Sequence, residues 1–372
     1  MINLKSVLSR LFAKKFLGID IGTTSIKMVE LEDAGRGLAL ANYGQIDLNL
    51  VENRESGIEE RGRAMADFSA AEIAEMIRAV MAEAKIKTRQ CALSIPDFLT
   101  FFTSFFLPPM TEKEIGAAVM FEARQHIPLP IDSVTVDWQL IGGAFGKPEK
   151  MEIAVTAMPN EIIAKYKEIA LKANLQMMLM EAEAFGLAKA LIPEDEAGAV
   201  CLIDIGLQST VCNLVQNKIL RYSHSFDRGA DYLFSDLSRQ MPIDRETIIA
   251  AKKKYGFRIF SLMDPDVKEK MEKPFKEAFA PILQEIEMAL ADYRRNSGID
   301  AAKIILSGGA VAAPEIKSQF ENHFHKEVLV ADPFARIAYP REIAEEIKNI
   351  GPSYAAAVGM ARRGFDLAKS AR

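Results

Sequence analysis

The sequence carries one short stretch twice. Ile19-Asp20-Ile21-Gly22-Thr23-Thr24-Ser25 returns, altered, as Ile203-Asp204-Ile205-Gly206-Leu207-Gln208-Ser209. Each copy follows an apolar run, Phe16-Leu17-Gly18 or Ala199-Val200-Cys201-Leu202, and precedes a second one. The pattern predicts strand, tight turn, strand, with an Asp at the mouth and a Gly where a side chain would obstruct. In such a turn the backbone N–H groups around Gly22 and Gly206 can converge on an anion. Asp20 and Asp204 then face the same phosphates, which makes sense only with a hard cation such as Mg²⁺ between them. One Asp-Ile-Gly turn is an ordinary hairpin. Two with matching flanks predict a nucleotide clamp built by duplication.

A chain of 372 residues with 49% hydrophobic and 26% charged residues has a large core and room for two or three domains. Its net charge of −5 gives no global basic field, so nucleic acid is not an expected partner. Cys91, Cys201 and Cys212 sit far apart in apolar surroundings and read as buried thiols of a reducing compartment. No segment reaches the roughly 18 uncharged residues of a membrane span. The N-terminus lacks the apolar run and cleavage site of a secretory leader, so the protein reads as cytosolic. Residues 1–15, MINLKSVLSRLFAKK, depart from the mild acidity. Ile2, Leu4, Val7, Leu8, Leu11 and Phe12 fall at roughly helical spacing among Lys5, Arg10, Lys14 and Lys15. Such a basic amphipathic segment can lie weakly on an anionic membrane surface; a helix packed on its own domain or a frayed tail is the plainer reading.

Along the chain, residues 38–43 read as a third strand and 52–67 as an exposed, charged loop or solvated helix. Ser69 is placed to cap a helix that turns Ile73, Ile77 and Val80 inward. Residues 90–95 form a buried strand that Pro96 ends. The block Phe98, Phe101, Phe102, Phe105, Phe106 has helical spacing but strand-like composition, and periodicity leaves it open. A helix over 112–125, strands over 134–138 and 152–157, and a helix over 160–171 complete a β-α-β-β-α unit spanning 88–176 between the hairpins. Glu181 and Glu183 open a helix ahead of the second hairpin, as acids suit a helix N-terminus. Beyond it come a strand at 219–224, helices at 230–239 and 243–255, a loop over 261–274 and a long helix over 275–296. Leu306-Ser307-Gly308-Gly309 then ends a buried strand in a double-glycine turn, where a flat ring can lie against backbone. A helix over 314–324 and a small-residue helix at 354–360 close the chain.

In chain order these elements resemble the phosphate-1, phosphate-2 and adenosine motifs of the actin, Hsp70 and sugar-kinase ATPase superfamily. Ala92-Leu93-Ser94-Ile95-Pro96, Leu107-Pro108-Pro109-Met110-Thr111-Glu112 and Phe121-Glu122-Ala123-Arg124-Gln125-His126-Ile127-Pro128 resemble the inserted subdomain of the PilM family of type IV pilus assembly proteins. The resemblance implies an α/β, actin-like (ribonuclease H-like) pair of duplicated domains around a nucleotide cleft. It divides the chain into 1–15, a first domain 16–87, the insertion 88–176, a connecting helix 177–197, a second domain 198–363 and a tail 364–372. It implies ATP and Mg²⁺ in the cleft. It also implies the N-terminal tail of PilN as partner, and through it the PilO and PilP platform beneath the pilus, with pilus motor proteins and self-association as further contacts. The location implied is cytoplasmic, peripheral to the inner membrane.

By matched position, Gly22, Thr23, Thr24, Ser25 and Lys27 form the first phosphate loop with Asp20, and Gly206, Gln208, Ser209 and Thr210 the second. Asp20 and Asp204 serve Mg²⁺ through its water shell, Asp204 also orienting an attacking water. Gly308, Gly309 and Lys252 border the adenosine. Glu181 or Glu183 reaches the metal shell, although plain helix-start acids account for them equally. Relatives often carry an acid three residues before the lysine matching Lys252; here Ile249 stands there, with Glu246 one turn earlier. The sequence leaves turnover open: the family reading is an ATP-holding scaffold that is at most a slow ATPase. A filament-forming ATPase similar to FtsA and a sugar-kinase-type phosphotransferase are the alternatives. His323 and His325 read as surface histidines and Lys252-Lys253-Lys254 as a solvated helix end.

Overall fold

The computed structural model describes residues 15–47, 65–240, 265–312 and 314–370. Residues 1–14, the insertion 48–64 and the expected helix 243–255 with Glu246, Ile249 and Lys252 lie outside the described residues.

The duplication extends from the hairpins to whole sheets. In the first, β1 (Lys15–Ile21), β2 (Ser25–Asp33) and β3 (Leu38–Asp47) run as an antiparallel meander. Strand β4 (Gln90–Ile95) lies parallel beside β1, β8 (Gln176–Ala182) parallel beside β4, and the short β14 (Ile337–Ala338) parallel beside β3 at the other edge. The second sheet repeats the plan. There β9 (Ala199–Ile205), β10 (Thr210–Gln216) and β11 (Ile219–Phe226) form the meander, with β12 (Lys303–Ser307) parallel beside β9 and β13 (Glu327–Val330) beyond it. Apart from Lys15 at its start and from Asp20 and Asp204, both central strands are apolar, because both of their faces are covered.

Helices α1 (Ala70–Glu83) and α3 (Asn160–Lys172) cover one face of the first sheet, setting Ile73, Ile77, Tyr166 and Ile169 against Leu17, Ile19 and Leu93. Ser69 caps α1 as the sequence predicts: its Oγ accepts from Glu72 N–H at 3.3 Å while the Glu72 carboxylate accepts from Ser69 N–H at 2.8 Å. On the opposite face lie α4 (Glu183–Leu191) and α9 (Ala355–Ser370). These two helices also meet the second sheet, where Ala184, Leu187 and Ala356 pack on Val200, Leu202 and Ile305. The far side of that sheet is closed by α5 (Ala230–Gln240), α6 (Pro265–Ser297) and α7 (Pro314–Phe324), through Leu233, Phe279, Ile282 and Phe320. The short α8 (Ala344–Ile350) leads into α9.

The inserted unit is a three-stranded sheet, β5 (Phe101–Leu107), β7 (Met151–Pro159) and β6 (Val134–Gly142), covered by α2 (Glu112–His126). The aromatic block is therefore strand, Phe105 inward and Phe106 exposed. Strand β4 and helix α3, which the sequence groups with this unit, pack in the first core instead. Residues 176–182 are strand, so Glu181 precedes its helix; Met177, Leu179 and Met180 gain more by pairing along β4 than by helix propensity. The long helix begins at Pro265, ahead of the expected 275, and carries Pro274 and Pro281 within it. Proline costs a helix interior about 3 kcal/mol; burial of Phe275, Phe279 and Ile282 opposes that cost. Among the described residues no helix is long and apolar enough to cross a membrane.

The two middle helices approach at backbone distance. A Cβ on Gly359 would lie 1.8 Å from the Gly186 carbonyl oxygen, and one on Gly18 1.9 Å from that of Ala357. Backbone cannot yield as a side-chain tip does. Gly359→Ala should therefore lower unfolding free energy by about 3 kcal/mol in urea titration. Gly116→Ala, in α2 with open space around it, should raise it by up to about 1 kcal/mol.

Candidate functional site

The two turns close alike. Gly22 N–H donates to Ser25 O at 3.0 Å and Gly206 N–H to Ser209 O at 3.0 Å. Behind each, the parallel register sets a serine beside the aspartate: Asp20 opposite Ser94, Asp204 opposite Ser307. Ser94 Oγ donates to Asp20 Oδ1 at 2.7 Å, and Ser307 Oγ to Asp204 Oδ1 at 2.7 Å. The same hydroxyls lie 3.4 and 3.3 Å from the carbonyl oxygens of Ile19 and Ile203. The structure thus repeats not a loop alone but a loop, a carboxylate and the hydroxyl that orients it.

The second loop is bolted to the start of α5. Gly206 O accepts from Ala230 N–H at 3.0 Å, Leu207 O from Asp231 N–H at 2.8 Å, and Thr210 Oγ1 donates to Arg228 O at 2.6 Å. Gly229 is required there, because a Cβ would sit 2.6 Å from the carbonyl oxygens of both Gly206 and Leu207. Gln208 is exposed and Ser209 half-buried at the tip. In the first loop Thr23, Thr24 and Ser25 are half-buried and Thr23 O accepts from Met65 N–H at 2.8 Å. Lys27 lies close enough for its charge to favour ionised Asp204 in the other domain. Gly308 sits at φ +93° with its N–H on Pro352 O at 3.0 Å, and a Cβ there would meet Ile205 O at 2.4 Å. Gly309, next to it, faces open space.

Two predicted acids part company. Glu181 places its carboxylate on the Arg363 guanidinium of α9, one contact at 2.6 Å and a second closer. Glu183 instead joins the cleft, hydrogen-bonded to Asp20. One acid escaped the sequence reading altogether. Asp97, 5% exposed, accepts from Ala184 N–H at 3.0 Å through Oδ1 and from Asn213 Nδ2 at 3.0 Å through Oδ2. It thereby ties the turn after β4, the first turn of α4 and strand β10 of the second domain. The available signals were polar residues inside apolar strands: Ser94 in QCALSI, Ser307 in KIILS and Asn213 in TVCNLVQ.

Electrostatically the cleft holds too much negative charge. Burial, then the charges of Asp20, Asp97 and Asp204, push the Glu183 carboxyl well above the usual carboxylate range. Burial also raises Asp204, opposed by the Ser307 hydroxyl and by Lys27. Asp97 is pushed up to about 6 by burial, with Asp204 and Asp20 adding to it and its two hydrogen bonds opposing. Asn213 Oδ1 is buried without a partner among the described residues. These groups fit a bound cation, which would offset the repulsion. Among the described residues no three His, Cys, Asp or Glu side chains stand in a metal-holding group. His323 meets Glu287 at 3.1 Å on the surface, away from the cleft.

Comparison with known proteins narrows this geometry. The family model described as type IV pilus assembly protein PilM matches residues 18–365. The chain belongs to this family. In three dimensions it is similar to a solved PilM–PilN type IV pilus biogenesis complex, with a TM-score of 0.74 and 21% identity over 94% of this chain and 98% of that one. It is similar to MreB5 of Spiroplasma citri bound to AMPPNP, with a TM-score of 0.52 and 14% identity over 97% and 98% of the chains. In sequence it is similar to the cell division protein FtsA of Streptococcus pneumoniae, 22% identical over 80% of this chain and 71% of that protein. The fold is that of the actin-like ATPases.

Asp97 yields a pH test with a definite sign. A folded-state pKa of about 6 lies above the ordinary carboxylate value of about 3.9. The folded chain then binds the extra proton between those values, so stability falls as pH rises from about 4 to about 6. Asp97→Asn should remove on the order of 3 kcal/mol of that fall, read by urea unfolding at pH 4.5, 5.5 and 7 in chelator. Parallel profiles for both proteins would contradict the assignment.

Proposed function

We propose that the chain is an ATP·Mg²⁺-loaded scaffold of the inner-membrane platform that assembles type IV pili. In this reading it takes the N-terminal cytoplasmic tail of PilN beside the inserted subdomain, and through PilN joins PilO and PilP. Pilus formation and twitching motility would then depend on it, from a position on the cytoplasmic side of the membrane. The observation that carries the nucleotide part is the mirrored pair of loop, aspartate and serine at the two mouths of one cleft. The partner is supported by the likeness to the PilM–PilN complex and by family membership.

In this reading Gly22, Thr23, Thr24 and Ser25 offer one set of donors to phosphate oxygens, and Gly206, Gln208, Ser209 and Thr210 the other. Gly308 and Gly309 let the base and ribose approach backbone. Bound Mg²⁺ supplies positive charge that neutralises both phosphate and carboxylate oxygens. Ser94 and Ser307 hold Asp20 and Asp204 by one oxygen each, and these oriented carboxylates would face the ion's water shell. Asp204 would also be placed to orient a water beside a bound terminal phosphate. Glu183 completes the acidic wall, while Glu181 keeps to its structural pair with Arg363. A filament-forming ATPase is the second reading, favoured by the similarity to FtsA.

Calorimetric titration of ATP·Mg²⁺ into the full chain, with and without the PilN N-terminal peptide, tests the proposal. Both ligands should bind, with slow or no turnover, and Asp204→Asn should weaken ATP at least tenfold while leaving the peptide unaffected. Peptide binding without ATP binding would overturn the nucleotide part. Rapid turnover without peptide binding would overturn the scaffold in favour of the filament reading.

A further inference from the structure

The end of the first sheet opposite the phosphate loops carries positive charge that the cleft does not use. Strand β1 runs from Lys15 to Ile21, a span of roughly 20 Å. At the Lys15 end a cavity of about 290 Å³ is lined by Lys15, Glu30, Asn42, Lys85, Lys87 and Thr88. Its floor is Glu30, 1% exposed, whose carboxylate is already taken. It accepts from the Asn42 amide and from Thr88 N–H at 3.3 Å, and Lys15 Nζ lies 3.7 Å away. Lys15 also pairs with Glu32 at 3.2 Å.

The other cations are uncommitted. Lys85 is the left-handed residue after α1, at φ +55°, and the turn closes through Ile86 N–H on Met81 O at 2.8 Å. Both Lys85 and Lys87 are exposed and have no ion-pair partner among the described residues. The parallel register of Leu17 with Cys91 puts Arg89 level with Lys15, and the Arg89 guanidinium reaches the Met81 sulfur at 3.8 Å and no carboxylate among the described residues. Three lysines, Lys15, Lys85 and Lys87, thus line a cavity whose lining carboxylate is Glu30, in a protein whose net charge is −5.

A second, independent observation concerns where the chain enters this face. The basic, amphipathic stretch over residues 1–14, with Lys5, Arg10 and Lys14, joins the fold at Lys15, on the rim of this cavity. The shared chemistry is a phosphate ester, and the combination with an apolar, basic segment favours a lipid over a free phosphate.

We propose that this face docks on an anionic phospholipid surface, with Lys85 and Lys87 receiving the headgroup phosphodiester. The inference rests on the membrane-peripheral part of the function above and gives the chain its own contact with the bilayer, separate from the PilN tail. Each lysine near an anionic surface multiplies binding about fivefold.

The test is co-sedimentation of the full chain with vesicles rich in phosphatidylglycerol or of phosphatidylcholine alone. Binding should require the anionic lipid, and Lys85→Gln with Lys87→Gln should cut the partition coefficient about 25-fold. Lys147→Gln with Lys150→Gln, matched in charge but on the inserted subdomain, should leave it unchanged. Equal sedimentation of both double variants would overturn the proposal. So would binding of soluble glycerol phosphate with no vesicle binding, which would assign the pocket to a free phosphate ester. Peptide and ATP titrations on the same samples separate the two readings: vesicle binding kept while peptide binding fails overturns the scaffold and not this site.

Discussion

The crossing of α4 and α9 between the two sheets is the constraint on which the molecule depends. Each helix must touch both sheets and its partner at once, and only glycine at 359, where a Cβ would lie 1.8 Å from the Gly186 carbonyl oxygen, lets the backbones meet at the observed distance. Gly18 extends the same rule to β1. Since β1 carries Asp20 and α4 carries Glu183, the spacing of the cleft acids is set by these side-chain-free contacts. A bulkier residue would spread the sheets before it disturbed any loop. The return of the chain end to the first domain, through Phe334, Ile337 and Tyr354 in its core, makes the two halves one packing problem.

On this frame the fold assembles more carboxylate than it can ionise. Asp20, Asp97, Glu183 and Asp204 come from four elements, and serines, backbone and Asn213 satisfy their oxygens without supplying countercharge. Lys27 is the cation whose charge reaches Asp204. Burying like charges is costly unless a cation joins them. A cleft built this way is stable when protonated or when loaded, and poorly stable when empty and ionised. Nucleotide and metal would then be structural as much as chemical ligands.

Much of this was legible in the sequence because the relevant residues obey local rules. The Asp-Ile-Gly repeat, the Ser69–Glu72 cap and the double-glycine end of β12 each announce a backbone requirement within a few positions. The family resemblance and the actin-like fold followed from their order. What was not legible depends on distance along the chain. Asp97 meets Asn213 across 116 residues, and nothing near either one signals the other. Residues 176–182 read as helix-like because Met, Leu and Glu favour helices, and only the open edge of β4 makes them strand. Helix α3 was grouped with its sequence neighbours, although its buried face fits the first core. Glu181 and Glu183 look alike in sequence and separate only when Arg363 arrives from the last helix.

The central claim is that the mirrored aspartates share one cation with a nucleotide. Crystals grown with AMPPNP and Mn²⁺ and measured at the manganese edge test it directly. The account predicts a single anomalous peak between the carboxylates of Asp20 and Asp204, with the phosphates against Gly22 and Gly206. Ordered nucleotide with no peak there, or manganese bound away from both aspartates, would contradict it.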